Sequence, residues 1–158
     1  MAARGSKVLI TAEPRGRFEG IIVSGTPKPG TVMEIETPFF QGGRHKWRVY
    51  QPGTDGEQRV IAVLLEDAEQ GFGLDVAFVD GRAAKVYFPL PGEELNMLFL
   101  NVSGTADDHA AGEICMVDTG TGKLVATTGT PESEPFRLLE TITDPTADFY
   151  APCQFTGY

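Results

Sequence analysis

Short runs of alternating apolar and polar residues recur along this chain, and most of them end at Gly, Pro or an Asp-Gly pair. A period of two is typical of a strand with one buried face, and Gly, Pro and Asp-Gly favour the turns between strands. Helical periodicity is confined to two short stretches, residues 62–70 and 105–111. The predicted strands are residues 7–12, 17–24, 31–37, 46–50, 59–65, 74–80, 84–90, 94–102, 113–118, 123–127, 136–142 and 147–155.

The clearest predicted element is a hairpin of residues 113–118 and 123–127. Gly120 and Gly122 lie between the two runs and can adopt the positive φ angles that a tight reversal needs. A second hairpin is predicted at Asp80, where an Asp-Gly pair separates two further apolar runs, residues 74–79 and 84–90.

The alternation is most regular at residues 32–36, where Val32, Glu34 and Glu36 alternate with Met33 and Ile35. Successive strand residues point to opposite faces of a sheet. We therefore expect both carboxylates to face water and Met33 and Ile35 to face the core.

Composition agrees with a soluble all-β protein. The chain has 158 residues, of which 41% are hydrophobic, with 19 glycines and 11 prolines. This size predicts one β-rich domain at residues 18–158 behind an N-terminal arm at residues 1–17, with a sub-boundary near residues 50–58 as an open alternative. Residues 1–7 lack the apolar core of a signal peptide, and the chain has no apolar run of about 18 residues, so no membrane partner is expected.

The charge is divided unevenly along the chain, whose net charge is −9. Residues 1–48 carry eight Lys or Arg and four Asp or Glu, whereas residues 49–158 carry five and eighteen. An acidic body repels phosphate, which disfavours nucleic acid as a partner. The basic front is either a solvated tail or an arm that docks on an acidic protein surface.

Candidate catalytic and metal-ligating residues are few. Cys115 and Cys153 are far apart in sequence and are expected to be reduced core residues, with Cys115 on the strand face opposite Met116. His45 and His109 lie in polar stretches without the spacing of a metal site, so solvent-exposed loop histidines are expected. The sequence therefore predicts no catalytic residues, no metal ligands and no cofactor.

Three acidic doublets and one aromatic cluster complete the candidates. Adjacent strand residues face opposite ways, so the doublets are expected to serve solubility, with a loop Ca²⁺ site at the last doublet as the alternative. The aromatic cluster is either a binding face or part of the core. The doublets are Glu66 and Asp67, Glu93 and Glu94, and Asp107 and Asp108, and the cluster is Phe39, Phe40, Trp47 and Tyr50.

The order of parts in residues 90–158 resembles the capsid decoration (cement) proteins of tailed bacteriophages, including the lambda-type family. A strand pair carries an Asp-turn-Lys-Leu-Val signature from Asp118 to Val125. A polar loop at residues 128–135, the strand 136–140 and a last strand pair ending in Phe155 and Gly157 follow it.

This resemblance implies a β-tulip or β-barrel that binds the outside of an assembled phage head, on the virion surface, after assembly in the host cytoplasm. It implies the major capsid protein as partner, a homotrimer, and an N-terminal arm that orders on the coat. The expected coat-protein contacts are Arg4, Lys7, Val8, Leu9, Ile10, Arg15 and Arg17. An extended arm of this kind could add a strand to a sheet edge of the coat.

Two other functions remain open from the residues alone. A carbohydrate-binding or host-surface-binding β module would need an aromatic platform, for which Trp47 and Tyr50 are the candidates. A small β-barrel enzyme is disfavoured because the sequence offers so few acids, bases and nucleophiles in any catalytic pattern.

Overall fold

The computed structural model describes residues 8, 17–22, 25–41, 43–51, 61–67, 71, 73–101, 108–118, 120–127 and 135–157. Within these residues the protein is all-β and contains no helix, which confirms the predicted fold class. The strands are β1 (Arg17–Ile22), β2 (Val32–Gln41), β3 (Arg44–Val49), β4 (Ala62–Leu64), β5 (Ala83–Tyr87), β6 (Glu94–Phe99), β7 (Ile114–Val117), β8 (Leu124–Thr127), β9 (Phe136–Leu138) and β10 (Phe149–Phe155).

The strands form two closed barrels of five strands each. The first barrel has the order β1-β3-β2-β4-β5, and the second has the order β10-β6-β8-β7-β9. Each barrel therefore uses consecutive strands of the chain, and the chain passes from one barrel to the other between Tyr87 and Glu94.

The two barrels have the same connectivity. In each, the first strand pairs parallel with the third and antiparallel with the fifth, and the second strand lies between the third and the fourth. The same number of residues separates Gly20 from its β3 partner His45 and Phe99 from its β8 partner Leu124. The molecule is thus a tandem repeat of one barrel topology.

Backbone hydrogen bonds repeat with the strands. The Gly30 N–H donates to the Leu64 carbonyl at 2.8 Å, and the Gly112 N–H donates to the Leu138 carbonyl at 2.8 Å. Two further pairs of hydrogen bonds match in the same register. The bond from the Leu64 N–H to the Thr31 carbonyl corresponds to the bond from the Leu138 N–H to the Glu113 carbonyl. The bond from the Leu65 N–H to the Lys85 carbonyl corresponds to the bond from the Leu139 N–H to the Pro152 carbonyl. Val32, Val63 and Leu65 of the first barrel therefore correspond to Ile114, Arg137 and Leu139 of the second.

The structure has two apolar clusters, and the barrels share the larger one. The interior of the first barrel is a cluster around Trp47, Met33 and Phe78. A larger cluster joins Val32, Val63 and Leu65 from the outside of the first barrel to the interior of the second. Burying these side chains removes apolar surface of both barrels from water, so each barrel stabilises the other.

Backbone hydrogen bonds also join the two barrels, beside the short pairing of β6 with β8. These two strands pair only at Phe99 and Leu124. The Leu98 N–H instead donates to the Gly30 carbonyl at 3.1 Å, and the Val32 N–H donates to the Gly122 carbonyl at 2.8 Å. The chain around β2 therefore supplies hydrogen-bond partners to the second barrel that its own strands do not.

The predicted strand at residues 74–80 and its hairpin are wrong. Residues 73–82 form turns and loop, in which the Phe78 N–H donates to the Pro27 carbonyl at 2.8 Å and Phe78 fills the first barrel. β5 pairs with β1 and β4 instead of with this loop. The Asp-Gly turn exists, with Gly81 at φ 77°, but it joins the loop to β5.

A helix at the start of residues 62–70 is also wrong, because residues 62–64 form β4. Both faces of β4 are buried: Leu64 points into the first barrel and Val63 into the shared core. A strand buried on both faces is continuously apolar, and periodicity alone does not separate it from a helix.

The expectation that both carboxylates of β2 face water is wrong for Glu34. This side chain is buried, and its Oε1 accepts a hydrogen bond from Arg48 Nε at 2.6 Å. Arg48 also pairs with Glu36 at 2.9 Å. The outward face of β2 is covered because the second barrel packs on Val32, so its first carboxylate needs a cationic partner.

The predicted arm at residues 1–17 and domain at residues 18–158 stay predictions. The alternative boundary near residues 50–58 falls mostly on residues outside those described.

Candidate interaction surfaces and cleft

The predicted coat-protein contacts fall largely outside the described residues, which include only two of the seven, Val8 and Arg17. Arg17 begins β1 and lies opposite Tyr87 of β5. The contacts that lie outside the described residues are Arg4, Lys7, Leu9, Ile10 and Arg15.

Val8 is buried in its own chain. Its side chain belongs to the core that the two barrels share. Its N–H donates to Glu66 Oε2 at 3.0 Å, and its carbonyl accepts from the Asn96 N–H at 2.7 Å. Val8 therefore ties the start of the chain to β6, and its side chain is not on the surface in this structure.

A cleft of about 390 Å³ opens between the barrels. Its charged side chains come from both, with Lys28 and Asp75 from the first barrel and Lys123 and Asp148 from the second. Thr31 also lines it, and the buried Thr31 hydroxyl has no hydrogen-bond partner among the described residues. The cleft therefore has a mixed polar and apolar lining, with two positive and two negative groups.

The strongest interaction in the cleft is an ion pair in the second barrel. Lys123 Nζ lies 2.5 Å from Asp148 Oδ2, and the Asn101 N–H donates to the other oxygen at 3.1 Å. Burial raises the pKa of Asp148, but the bonds from Lys123 and Asn101 and the charge of Lys28 outweigh it and hold the pKa below its usual value. Asp148 is thus an anion committed to Lys123.

Tyr150 of β10 also lines the cleft. Its hydroxyl lies within hydrogen-bond distance of the carbonyl oxygens of Pro29, at 2.9 Å, and Leu74, which share its one proton. Burial, together with the charges of Asp75 and Glu66, raises the pKa of Tyr150. The hydroxyl is therefore a structural donor that holds first-barrel loops on β10, and it is unsuited to act as a base at neutral pH.

The cysteines lie where the sequence predicts. Both are free and buried in the second barrel, with Cys115 on β7 and Cys153 on β10. Burial raises the pKa of the Cys153 thiol, and the neighbouring Cys115 adds to the effect. A protonated, buried thiol is a poor nucleophile, which agrees with a core role.

The expectation of solvent-exposed loop histidines is wrong. His45 lies within β3, and His109 forms a β-bridge with Ile142. The His109 ring stacks on Phe149 with the centroids 6.1 Å apart, and its Nδ1 lies 3.3 Å from a Glu113 carboxylate oxygen. Among the described residues, no three of His, Cys, Asp and Glu are grouped to hold a metal ion.

Solubility does not explain the acidic doublets that the structure describes. Asp67 is buried, with Lys85 Nζ 3.7 Å away. Glu66 binds Val8, and Glu93 accepts a hydrogen bond from the Tyr87 hydroxyl at 2.6 Å. Asp67 is thus buried, whereas Glu66 and Glu93 are half-buried and hydrogen-bonded to neighbouring elements. Asp107 lies outside the described residues, and Asp108 accepts the Asp144 N–H at 3.0 Å.

Trp47 is a core residue. It is 1% exposed and packs inside the first barrel, next to Gly20 and Phe88. A Cβ at residue 20 would lie 2.3 Å from the indole nitrogen, so only Gly fits there. Tyr50 is half-buried against the shared core. Trp47 is therefore not available as a binding platform.

One apolar surface was not predicted from the sequence. On the outside of the second barrel, Met116 is 43% exposed and Leu139 is 37% exposed. Ile114 lies between them on β7 and is partly exposed. The internal repeat of Leu-Leu-Glu at residues 64–66 and 138–140 is the signal that could have marked this surface, since it equates Leu139 with the buried Leu65.

Among the residues that the structure describes, no helix is long and apolar enough to span a membrane. Comparison with known proteins finds no family whose sequence model matches this chain and no curated protein that matches it.

Proposed function

We propose that this chain is a non-enzymatic structural protein of a phage virion, which binds the outer surface of the assembled head and stabilises it. Its partner is the major capsid protein, and it acts as a homotrimer. One observation carries the proposal: the elements on which the resemblance to decoration proteins rests, β7 to β10, belong to one closed barrel.

The physical requirements of such a role are modest. A ligand that binds only the assembled lattice stabilises it by mass action, so a decoration protein needs an interface and no active site. The barrels offer cross-strand hydrogen bonding and a shared core, which suit a rigid body that holds neighbouring coat subunits together. In the part of the chain that the structure describes, Asp148 of the cleft is paired with Lys123, and both cysteines are buried in the second barrel.

The basic arm is the proposed contact with the coat. Val8 anchors it to β6, which leaves the basic residues on either side of Val8 as the groups that reach the partner. Electrostatic contacts of this kind weaken with added salt. The hydrogen bonds of Val8 support an arm that is attached to the folded body at this residue.

Purified undecorated heads, heated with and without the protein, test the function. The proposal expects heads to open at a higher temperature when the protein is bound. An Arg4→Ser and Lys7→Ser variant should protect less well at low salt, whereas the control variant Arg44→Ser and Arg82→Ser, which removes the same charge outside the arm, should protect like the wild type. An unchanged opening temperature at saturating protein would contradict the proposal.

The alternative of a carbohydrate-binding module loses its main candidate platform because Trp47 is enclosed in the first barrel. A glycan array separates the two functions. Specific glycan binding without any effect on heads would favour the carbohydrate-binding function over head binding.

A further inference from the structure

On the outside of the second barrel, apolar residues occupy strand positions whose side chains point away from the barrel interior. Met116 of β7 lies opposite Val125 of β8, and Ile114 of β7 lies opposite Arg137 of β9. With Leu139, which follows β9, these residues form the outer face: Ile114, Met116, Val125, Arg137 and Leu139. A face of an antiparallel sheet that meets only water normally carries polar side chains.

The equivalent positions of the first barrel are buried against a neighbouring barrel. Its counterparts on the first barrel, Val32, Val63 and Leu65, are at most 3% exposed because the second barrel packs on them. The second barrel keeps two of these three positions apolar, as Ile114 and Leu139, although Ile114 is partly exposed and Leu139 is 37% exposed. Contiguous exposed apolar residues of this kind mark contact sites.

A second feature of the same chain complements the outer face. The loop of residues 74–80 exposes Val76 and Val79, at 40% and 49%, and carries Asp75 and Asp80 on either side of them. Turn hydrogen bonds from Val76 N–H to Gly73 O and from Arg82 N–H to Val79 O, both 3.1 Å, hold it in shape. An apolar pair between carboxylates matches an apolar face that carries one arginine.

We propose that the outer face of the second barrel binds the loop of residues 74–80 of a second copy of this chain. Arg137 argues against pairing of the face with itself, since a two-fold contact would bring two arginines together. Contact between two different surfaces is head-to-tail, and such contacts close into rings when the rotation allows. The inference goes beyond head binding, because it concerns the free protein.

Sedimentation velocity of the free full chain, measured over a wide range of concentrations, tests the contact. The wild type should associate, and a Met116→Glu and Leu139→Glu variant should sediment as a monomer at the same concentrations. Leu90→Glu is the matched control, because Leu90 is 64% exposed and belongs to neither surface. Protection of the buried Cys115 and Cys153 from a thiol reagent shows whether the second barrel of each variant is folded.

Charge reversal identifies the two surfaces. Arg137→Asp and Asp80→Arg should each weaken association at least tenfold, and the two changes combined should restore most of it. A wild type that stays monomeric throughout, or association that the Met116→Glu and Leu139→Glu variant leaves unchanged, would overturn the inference. Binding to heads is scored separately, so a monomer that still binds heads refutes this contact and a homotrimer in free solution, but leaves the proposed binding to heads standing.

Discussion

Gly30 is one of the residues at which the backbones of the two barrels meet. It has φ 81°, and a Cβ there would lie 2.9 Å from the Leu98 nitrogen and 3.1 Å from the Asn96 carbonyl oxygen. Its counterpart Gly112 has φ 92° and nothing within 4 Å of an added Cβ. The two glycines share a backbone conformation and differ in whether a second barrel lies against them.

Alanine at each glycine separates these effects. Gly112→Ala should lower the free energy of unfolding by about 1 kcal/mol, the cost of a positive φ for a residue with a Cβ. Gly30→Ala should cost about 2 kcal/mol more, because its Cβ meets backbone atoms that cannot turn aside. Urea denaturation measures both, and equal losses would show that the barrels do not meet at Gly30 as described.

Cys153 predicts how stability depends on pH. The folded protein holds its thiol protonated because burial raises the pKa, whereas the unfolded chain ionises it near pH 8.5. The unfolded state therefore binds fewer protons at alkaline pH, and stability falls as the pH rises through that value. Between pH 8 and pH 10 the wild type should lose up to about 2 kcal/mol more than Cys153→Ala. Parallel pH profiles of the two proteins would contradict a buried, protonated Cys153.

Sequence patterns predicted the burial and conformation of single residues well where neighbouring residues determine them. They did so poorly where distant parts of the chain determine them. The buried cysteines and the positive φ of Gly120 and Gly122 follow from residue type and turn chemistry. The burial of Glu34 and the hydrogen bond from Val8 to Glu66 do not, since each depends on a partner that is distant in the sequence. Carboxylates on an alternating strand look solvent-exposed until the layer that covers them is known.

At the scale of strands and hairpins, the pattern found most elements and missed those that lack alternation. The β7 and β8 hairpin pairs as predicted, with Val117 opposite Leu124. Residues 74–80 have an apolar pattern like that of a strand. Phe78, however, is buried in the interior of the first barrel, whereas Val76 and Val79 are exposed. A side chain that fills a barrel end and one that lines a strand have the same hydrophobicity, so composition does not separate them.

Leu65 and Leu139 are equivalent positions that test the packing of these elements. Leu65, after β4, is 3% exposed in the shared core, whereas Leu139, after β9, is 37% exposed. Leu65→Ala should cost about 3 kcal/mol through lost burial and a cavity, and Leu139→Ala should cost under about 1 kcal/mol. Thermal or urea denaturation of the two variants gives the comparison. Similar losses would mean that the two faces are equally buried in solution.

At the scale of the whole molecule, the repeat is the feature that sequence reasoning did not reach. Leu-Leu-Glu recurs at residues 64–66 and 138–140, but most matched positions differ in residue type, as Val63 and Arg137 do. Backbone hydrogen bonds define the repeat, and backbone bonds leave little trace in residue identity. The partner surface is hidden for the same reason, because exposure of Leu139 is visible only beside the burial of Leu65.

The shared core predicts that both barrels unfold together. Trp47, the one tryptophan of the chain, reports on the first barrel, and the two cysteines report on the second. Side chains from both barrels complete one apolar cluster, so loss of either barrel exposes the other. Trp47 fluorescence and pulsed thiol labelling should therefore give the same urea midpoint. Two separate midpoints would show that the barrels are independent domains.

Titration of the full chain onto undecorated heads, alongside unassembled coat protein, tests the proposed role most directly. A decoration protein recognises a surface that exists only after assembly, so the account predicts saturable binding to heads and far weaker binding to free coat subunits. Cosedimentation with heads and quantification of the bound chain give the occupancy. Absence of binding to heads at the highest protein concentration of the titration would contradict the proposed role. Equal binding to heads and to free subunits would contradict it as well.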